Sequence, residues 1–234
     1  FCYGLYQSKP WGVVGNDQVA EDFIERSANL GYGPAQALMA AITHEAESRQ
    51  EKEKAWTWLE KAGRANDIAS QILLGSIVFE QKLFGAKIGV DNTEFFIERA
   101  EEGNPFFQYL VAEMYGRGHG VVKDETKALQ WLKKSAEQDY AMSQVIYGSI
   151  LYHGKFDLEA KRSNKALQDR EKGAALIMSA AEKGLPHAQL AVALLYTKGD
   201  ALGTDKEKAA YWAKKAADQG LTEAKEALKK ISVQ

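Results

Sequence analysis

Apolar residues along this chain recur at three- and four-residue steps, as in Leu190, Val192, Leu194, Leu195 and Tyr196. That period lines them along one side of an α-helix, whereas a strand would alternate. Each apolar block is followed by a short polar segment and a second block, so the predicted unit is a helix–turn–helix. The clearest copy runs Phe107–Tyr115, then Gly116–Asp124, then Lys127–Ala136, and related blocks stand on both sides of it. A polar residue near the start of the first helix recurs as Gln36, Gln71, Gln108, Gln144, Gln189 and, more loosely, Lys225, at spacings of 35, 37, 36, 45 and 36. A large apolar residue of the second helix falls at Phe23, Trp58, Phe95, Trp131, Leu176 and Trp212, at the same spacings of 35, 37, 36, 45 and 36. Two independent anchors in phase establish an internal repeat.

Small residues recur with the anchors. Ala40, Gly75, Ala112, Gly148 and Ala193 each follow their glutamine by four residues, where a larger side chain would push paired helices apart. A second small series, Ala28, Gly63, Ala100, Ala136, Ala181 and Ala217, lies on the second helices. It is followed by Gly31, Asn66, Gly103, Asp139, Gly184 and Gly220, residues suited to a left-handed helix C-cap.

The pattern Ala-Gln-x-x-Leu-Gly-x-x-Tyr-x-x-Gly-x-Gly-Val-x-x-Asp-x-x-Lys-Ala-x-x-Trp, matched almost throughout by residues 107 to 139, resembles the Sel1-like repeat, a relative of the tetratricopeptide repeat. The resemblance covers roughly residues 17 to 232. It implies an all-α fold, a right-handed α/α superhelical solenoid of about five to six helix–turn–helix repeats. It also implies binding of other proteins on a concave face, without catalytic residues.

The departures from the repeat matter as well. Between Gly154 and Gly173 the chain is about nine residues longer than in the other units, an insertion at 155–172 that lengthens the two helices or their connecting loop. The Gln71 unit lacks the Gly-x-Gly turn, and its loop is expected to present Leu83 and Phe84. At the start, Leu5-Tyr6 and Trp11–Val14 match Met114-Tyr115 and Gly120–Val122, so residues 1–16 read as the end of a repeat cut short. Residues 17–232 form the repeat array, and 221–232 read as the polar capping helix that terminal repeats require.

Composition narrows the function. Thirty Lys and Arg against 32 Asp and Glu leave a formal charge of -2, so no strong positive field draws the chain to nucleic acid. No stretch approaches the ~20 apolar residues of a membrane-spanning helix, and only four prolines interrupt the helices. Cys2 is the single cysteine, read as a buried core residue, so intramolecular disulfides and Cys-based structural zinc are excluded.

The chain offers little recognisable chemistry. His44, His119, His153 and His187 fall in four different repeats without ligand spacing, so no metal or cofactor is expected. Gly116-Arg-Gly-His-Gly120 superficially resembles a phosphate-cradling loop, but it stands at the repeat's turn and no Lys-Ser/Thr follows. Glu101-Glu102 and Glu51/Glu53 lie on lysine-rich helix faces as surface ion pairs. Trp58, Trp131 and Trp212 hold the core position and are expected to be buried, which leaves Trp11 and Trp56 as the exposed exceptions.

If the units stack as tetratricopeptide units do, the inward face of the first helices follows from the glutamine anchor. It is expected to carry Phe106, Tyr109, Glu113, Arg117 and Tyr152 as partner-binding residues, with aromatic and Arg anchors and a polar pair for specificity. The expected function is a non-catalytic interaction scaffold. Bacterial members of the resembled family are often envelope or secreted proteins, and some look like immunity partners of secreted effectors. The resemblance therefore implies an adaptor or immunity protein for a secreted effector or toxin, in a bacterial periplasm or envelope, with the cytoplasm as the alternative. An envelope hydrolase that binds or cleaves β-lactams is the rival reading, but the paired cysteines of those family members are missing here.

Overall fold

The computed structural model describes residues 17–44, 49–65, 67–80, 90–156, 165 and 167–233. Residues 1–16 with Cys2 and Trp11, the Leu83 and Phe84 loop, Asn66 and residues 157–164 lie outside that set. The described residues form twelve α-helices and no strand. They are α1 (Asp17–Asn29), α2 (Gly33–His44), α3 (Arg49–Arg64), α4 (Ile68–Glu80), α5 (Val90–Glu101) and α6 (Pro105–Arg117). There follow α7 (Glu125–Glu137), α8 (Ala141–His153), α9 (Arg170–Glu182), α10 (Pro186–Lys198), α11 (Lys206–Asp218) and α12 (Thr222–Val233). The expected all-α repeat class is the observed one. The chain divides into two compact units, Phe1–Phe107 and Gln108–Gln234.

Helix ends are set as the repeat pattern requires. Asp124, Asp169 and Asp205 cap α7, α9 and α11, each carboxylate accepting the backbone N–H three residues on, at 2.9 to 3.0 Å. At the other end Gly31, Gly103, Asp139, Gly184 and Gly220 all take positive φ, as the cap series predicts. Asp139 does so at φ 64° without being glycine, and its side chain is put to use there. Asp139 Oδ1 accepts Gln144 Nε2 at 2.9 Å and Lys183 Nζ at 3.0 Å. The lysine holds the carboxyl below its ordinary value, assisted by Gln144. Gly118 and Gly120 also have positive φ, so the glycine-rich motif ends α6 at Arg117 and opens the inter-helix turn expected of it.

The anchor glutamines are buried, and Gln36, Gln108, Gln144 and Gln189 each carry a polar clamp. Gln36 Nε2 donates to Ala28 O at 3.1 Å, and Gln189 Nε2 to Ala181 O at 3.3 Å, in each case satisfying a carbonyl near the end of the preceding second helix. Their carbonyl ends accept in turn. Gln138 donates to Gln108 at 2.7 Å, Lys183 to Gln144 at 3.0 Å and Gln219 to Gln189 at 2.8 Å. Gln138, Lys183 and Gln219 are the residues immediately after α7, α9 and α11, so in the second unit each repeat ties the end of its second helix to the start of its first.

The small residues do what their spacing implies. A Cβ built on Gly148 of α8 would lie 2.7 Å from Gly173 O of α9, and one on Gly173 would lie 2.6 Å from Gly148 O, so the two backbones touch. In the first unit a Cβ on Gly63 would meet Phe106 Cβ at 2.7 Å.

One expectation is corrected here. Trp58, Trp131 and Trp212 are half-buried, and the deep positions belong to the next residue: Leu59, Leu132 and Ala213, with Ile24, Phe96 and Ile177 in the other copies. At 3.6 residues per turn, a one-residue step turns the side chain by about 100°, from the rim to the core. Each indole instead receives a lysine three residues on. Lys61, Lys134 and Lys215 stand 4.4, 4.1 and 5.2 Å from the ring centroids of Trp58, Trp131 and Trp212. Trp56, expected to be exposed, is half-buried against Phe95 and Phe96 at centroid separations of 5.8 and 5.3 Å.

The insertion does not lengthen the flanking helices. α6 to α11 all have thirteen residues, while the α8–α9 connection, 154–169, is nine residues longer than 118–124 and 199–205. The helices on either side are unchanged.

Candidate partner-binding site

The five residues expected on one binding face separate in the structure. Phe106 has no exposed surface, Tyr109 is 2 % exposed and Tyr152 is 4 % exposed. Phe106 packs on Gly63 and Phe107. Tyr109 lies against Tyr140, ring centroids 5.7 Å apart. Burial first, and then the charge of Glu113, drive its hydroxyl well above the ordinary tyrosine range. Tyr152 donates its hydroxyl to Asp200 Oδ2 at 3.2 Å, and Arg170, itself 3.3 Å from the same oxygen, lies over the ring. The expectation of aromatic partner anchors is therefore corrected for these three. Counting from the glutamine identified the right helix but placed rings on an open face that instead fold against a neighbouring helix or turn.

Glu113 and Arg117 do share a site. Arg117 Nε donates to Glu113 Oε2 at 2.8 Å, one helical turn apart on α6; the Arg117 side chain is 58 % exposed and that of Glu113 17 %. They stand at the mouth of a 370 Å³ cleft in the second unit, with Lys123 of the following turn as the third charged group. Its floor is apolar, made chiefly by Leu132 of α7, Ile146 and Ile150 of α8, and Phe156.

The cleft has a visible cause in the register. Gly116 stands eight residues after Gln108, and the same position in the next repeat, eight after Gln144, is Tyr152. Tyr152 lies over Gly173, whose equivalent one repeat earlier is Ala128, part of the cleft wall. Without a side chain at 116 that space is left to Phe156, whose ring edge comes within 3.3 Å of where a Cβ would be. No count of charged or aromatic residues would have pointed to Gly116; the signal was the one glycine in the series His44, Phe79, Gly116, Tyr152, Thr197.

A second charged cluster lies at the end of α8. His153 is edge-on to Tyr152 at 5.0 Å, and its pKa is lowered by partial burial first, then by Lys198, Lys155 and Arg170. Among the described residues no group of three or more His, Cys, Asp or Glu side chains is arranged to hold a metal ion. No described helix is long and apolar enough to cross a membrane.

A family profile described as the Sel1 repeat matches residues 34–67, 105–140 and 186–221. These are the α2–α3, α6–α7 and α10–α11 pairs. This is a Sel1-repeat chain. The profile passes over the two units whose loops depart from the pattern, yet α8 and α9 pack there through Gly148 and Gly173, and α4 and α5 are helices of the expected kind. Among solved structures, the Sel1 repeat protein of Oxalobacter formigenes is 27% identical with a TM-score of 0.52, covering 59% of this chain and 98% of its own. The protein c5321, a protective antigen present in uropathogenic Escherichia coli strains and displaying an SLR fold, is 29% identical with a TM-score of 0.57. That match covers 98% of this chain and 47% of c5321. A curated relative, chitin synthase regulatory factor 3 of Schizosaccharomyces pombe, is 26% identical over 176 residues, 73% of this chain and 18% of that protein. The Sel1-repeat chain thus spans under a fifth of this curated relative and about half of c5321. Sel1 repeat proteins generally mediate protein–protein interaction and are typically non-catalytic scaffolds.

Proposed function

We propose that this Sel1-repeat chain is an interaction scaffold whose second unit holds a partner protein at the mouth of the α6–α8 cleft, through Glu113 and Arg117. The observation that carries this reading is the pairing of an apolar recess with an accessible ion pair on a first helix. A recess of this kind excludes water from part of a contact, and a charged pair at its edge selects orientation. Phe106, Tyr109 and Tyr152 are buried in the fold and are left out of the proposed contact. The biological role we propose is that of an adaptor or immunity protein that tethers or neutralises a secreted effector in a bacterial envelope. The Oxalobacter and uropathogenic Escherichia coli likenesses support a bacterial setting. No observation favours the hydrolase reading over it.

The test is affinity capture with the purified chain as bait, followed by Arg117→Glu and Glu113→Lys. One protein retained by the native chain and lost by both variants, at unchanged thermal midpoint, is the expected result. A partner retained equally by both variants would refute this placement of the site.

A further inference from the structure

We propose that Lys155 and Lys198, beside His153 at the adjoining ends of α8 and α10, bind an acidic segment of a partner protein, with an apolar residue of that segment on Leu194. This rests on the scaffold reading above but not on the cleft at Gly116, and it lies within the second unit.

The repeat register brings the cations together. His153 and Lys198 each stand nine residues after an anchor glutamine, Gln144 and Gln189, and each is the last residue of its helix. Their side chains adjoin, because after partial burial it is Lys198, then Lys155, then Arg170 that hold the His153 pKa down. The charges that act most on this imidazole are therefore all positive. Asp200, the carboxylate at the site, is already engaged by Arg170 at 3.3 Å and by the Tyr152 hydroxyl at 3.2 Å, so Arg170 is neutralised. Lys155 and Lys198 form no ion pair among the described residues. A helix C-terminus favours a cation, but the repeat does not demand one, since the same position in the Gln71 unit is Glu80.

Leu194 supplies the apolar half. It lies one helical turn before Lys198 on the same face of α10 and is 46% exposed. Leu190, a further turn back, is half-buried and continues the stripe. A polyanion such as nucleic acid has no use for that leucine, and the chain's formal charge of -2 opposes it at long range. A short segment with carboxylates and one apolar residue uses both features. The imidazole reports its arrival. Carboxylates set against Lys155 and Lys198 cancel the charges that hold His153 down, so its pKa rises in the complex, and by linkage the complex tightens as pH falls through that titration. Arg170 of α9 and Asp200 after α10 offset one another and leave the sign unchanged.

The experiment sorts a random dodecapeptide library, displayed on phage, against the purified chain. The most enriched peptide is synthesised with a fluorescent label, and its affinity is measured by anisotropy for the native chain, Lys155→Glu, Lys198→Glu, Leu194→Ser and Lys214→Glu, with a thermal melt for each. The expected consensus joins Asp or Glu to a large apolar residue. Replacing its acidic residues with amides should weaken binding at least tenfold. Lys155→Glu, Lys198→Glu and Leu194→Ser should each weaken it severalfold at unchanged thermal midpoint. Lys214→Glu, the same charge reversal at an exposed position of α11, should leave it unaltered. The His153 ring protons, followed by NMR, should titrate at higher pH with peptide bound than without. Equal weakening in Lys214→Glu would reduce the effect to net charge and overturn the inference. So would single-stranded DNA that competes as well as the peptide, a His153 titration that does not move, a basic consensus, or no enrichment above background. Each of these outcomes leaves the scaffold reading to the capture experiment with Arg117→Glu and Glu113→Lys, which probes a different surface.

Discussion

Replacing Gly148 with alanine adds one methyl group where α8 and α9 meet backbone to backbone, and the sign of its effect is diagnostic. In an ordinary helix interior, glycine to alanine stabilises by about 1 kcal/mol, because glycine loses more freedom on folding. At Gly148 the new Cβ would lie 2.7 Å from Gly173 O, 2.9 Å from Ile177 Cγ1 and 3.2 Å from Leu176 Cβ, all inside ordinary contact. The nearest atom is a helical backbone carbonyl, which cannot rotate away as a side chain can. The helices must separate by several tenths of an ångström, and Ile177 behind them is core. Overpacking of this kind costs about 1–3 kcal/mol, and the rigid contact argues for the upper part of that range. Subtracting the propensity gain leaves a net loss of about 1–2 kcal/mol. Urea denaturation followed by circular dichroism reads this as a lower midpoint at unchanged slope. Gly116→Ala serves as control, since its Cβ meets no backbone, only the edge of the Phe156 side chain at 3.3 Å and Ala128 Cβ at an ordinary 3.9 Å, and should cost less than Gly148→Ala. If Gly148→Ala proved as stable as the native chain or more so, the close approach of α8 and α9 would be wrong.

Two further substitutions probe the register and the cap. Leu132→Ala, removing a core side chain, should cost about 2–5 kcal/mol, and Trp131→Ala, removing a half-buried ring and its lysine contact, about 1–2 kcal/mol. The reverse order in urea midpoints would restore the indole to the core. Asp139→Asn keeps a residue that tolerates positive φ but loses the charge that Lys183 stabilises. Because the folded carboxyl lies below its ordinary 3.8, its contribution is present above that pH and lost as pH falls through the folded value. Native and variant midpoints should differ at neutral pH and converge as pH falls below 3.8 and through the folded value, and a constant gap across that range would refute the ion pair's role.

The repeat was legible because it rests on spacing. Gln36, Gln108, Gln144 and Gln189 stood out as polar residues in apolar blocks, and each proves to be buried and bonded to an adjacent turn or helix end. Gly31, Gly103, Asp139, Gly184 and Gly220 were readable because positive φ restricts which residues fit. The tryptophans were misplaced by one position because size alone does not separate a rim ring from a core leucine. Lysines at Lys61, Lys134 and Lys215 held that information, since a long cation three residues after an aromatic lies over its outer face. The binding face was harder to read, because whether Tyr109 points outward depends on what the next turn offers it. Tyr140 supplies an aromatic surface there, and the ring is drawn inward.

The long 154–169 connection shows why this architecture can vary its surface without losing its frame. Gln138 and Gln219 close their repeats by reaching glutamines thirty residues earlier, across loops of ordinary length. In the repeat with the insertion the separation grows to 39 residues, yet the equivalent contact from Lys183 to Gln144 persists at 3.0 Å. The helices meet through Gly148 and Gly173, which lie on either side of the extra segment, so the added residues leave the loop ends where they were. Lengthening a loop whose ends are already fixed carries only a small logarithmic entropy cost. Lysine also adds a bond to the Asp139 backbone carbonyl at 2.7 Å, so this closure carries a charge that the glutamine closures lack. Phe156, near the start of the same long connection, lies against Gly116 and walls the cleft of the preceding repeat. This connection thus borders the cleft through Phe156, and sequence changes in it can reshape the cleft while the glutamine clamps hold the helices in register.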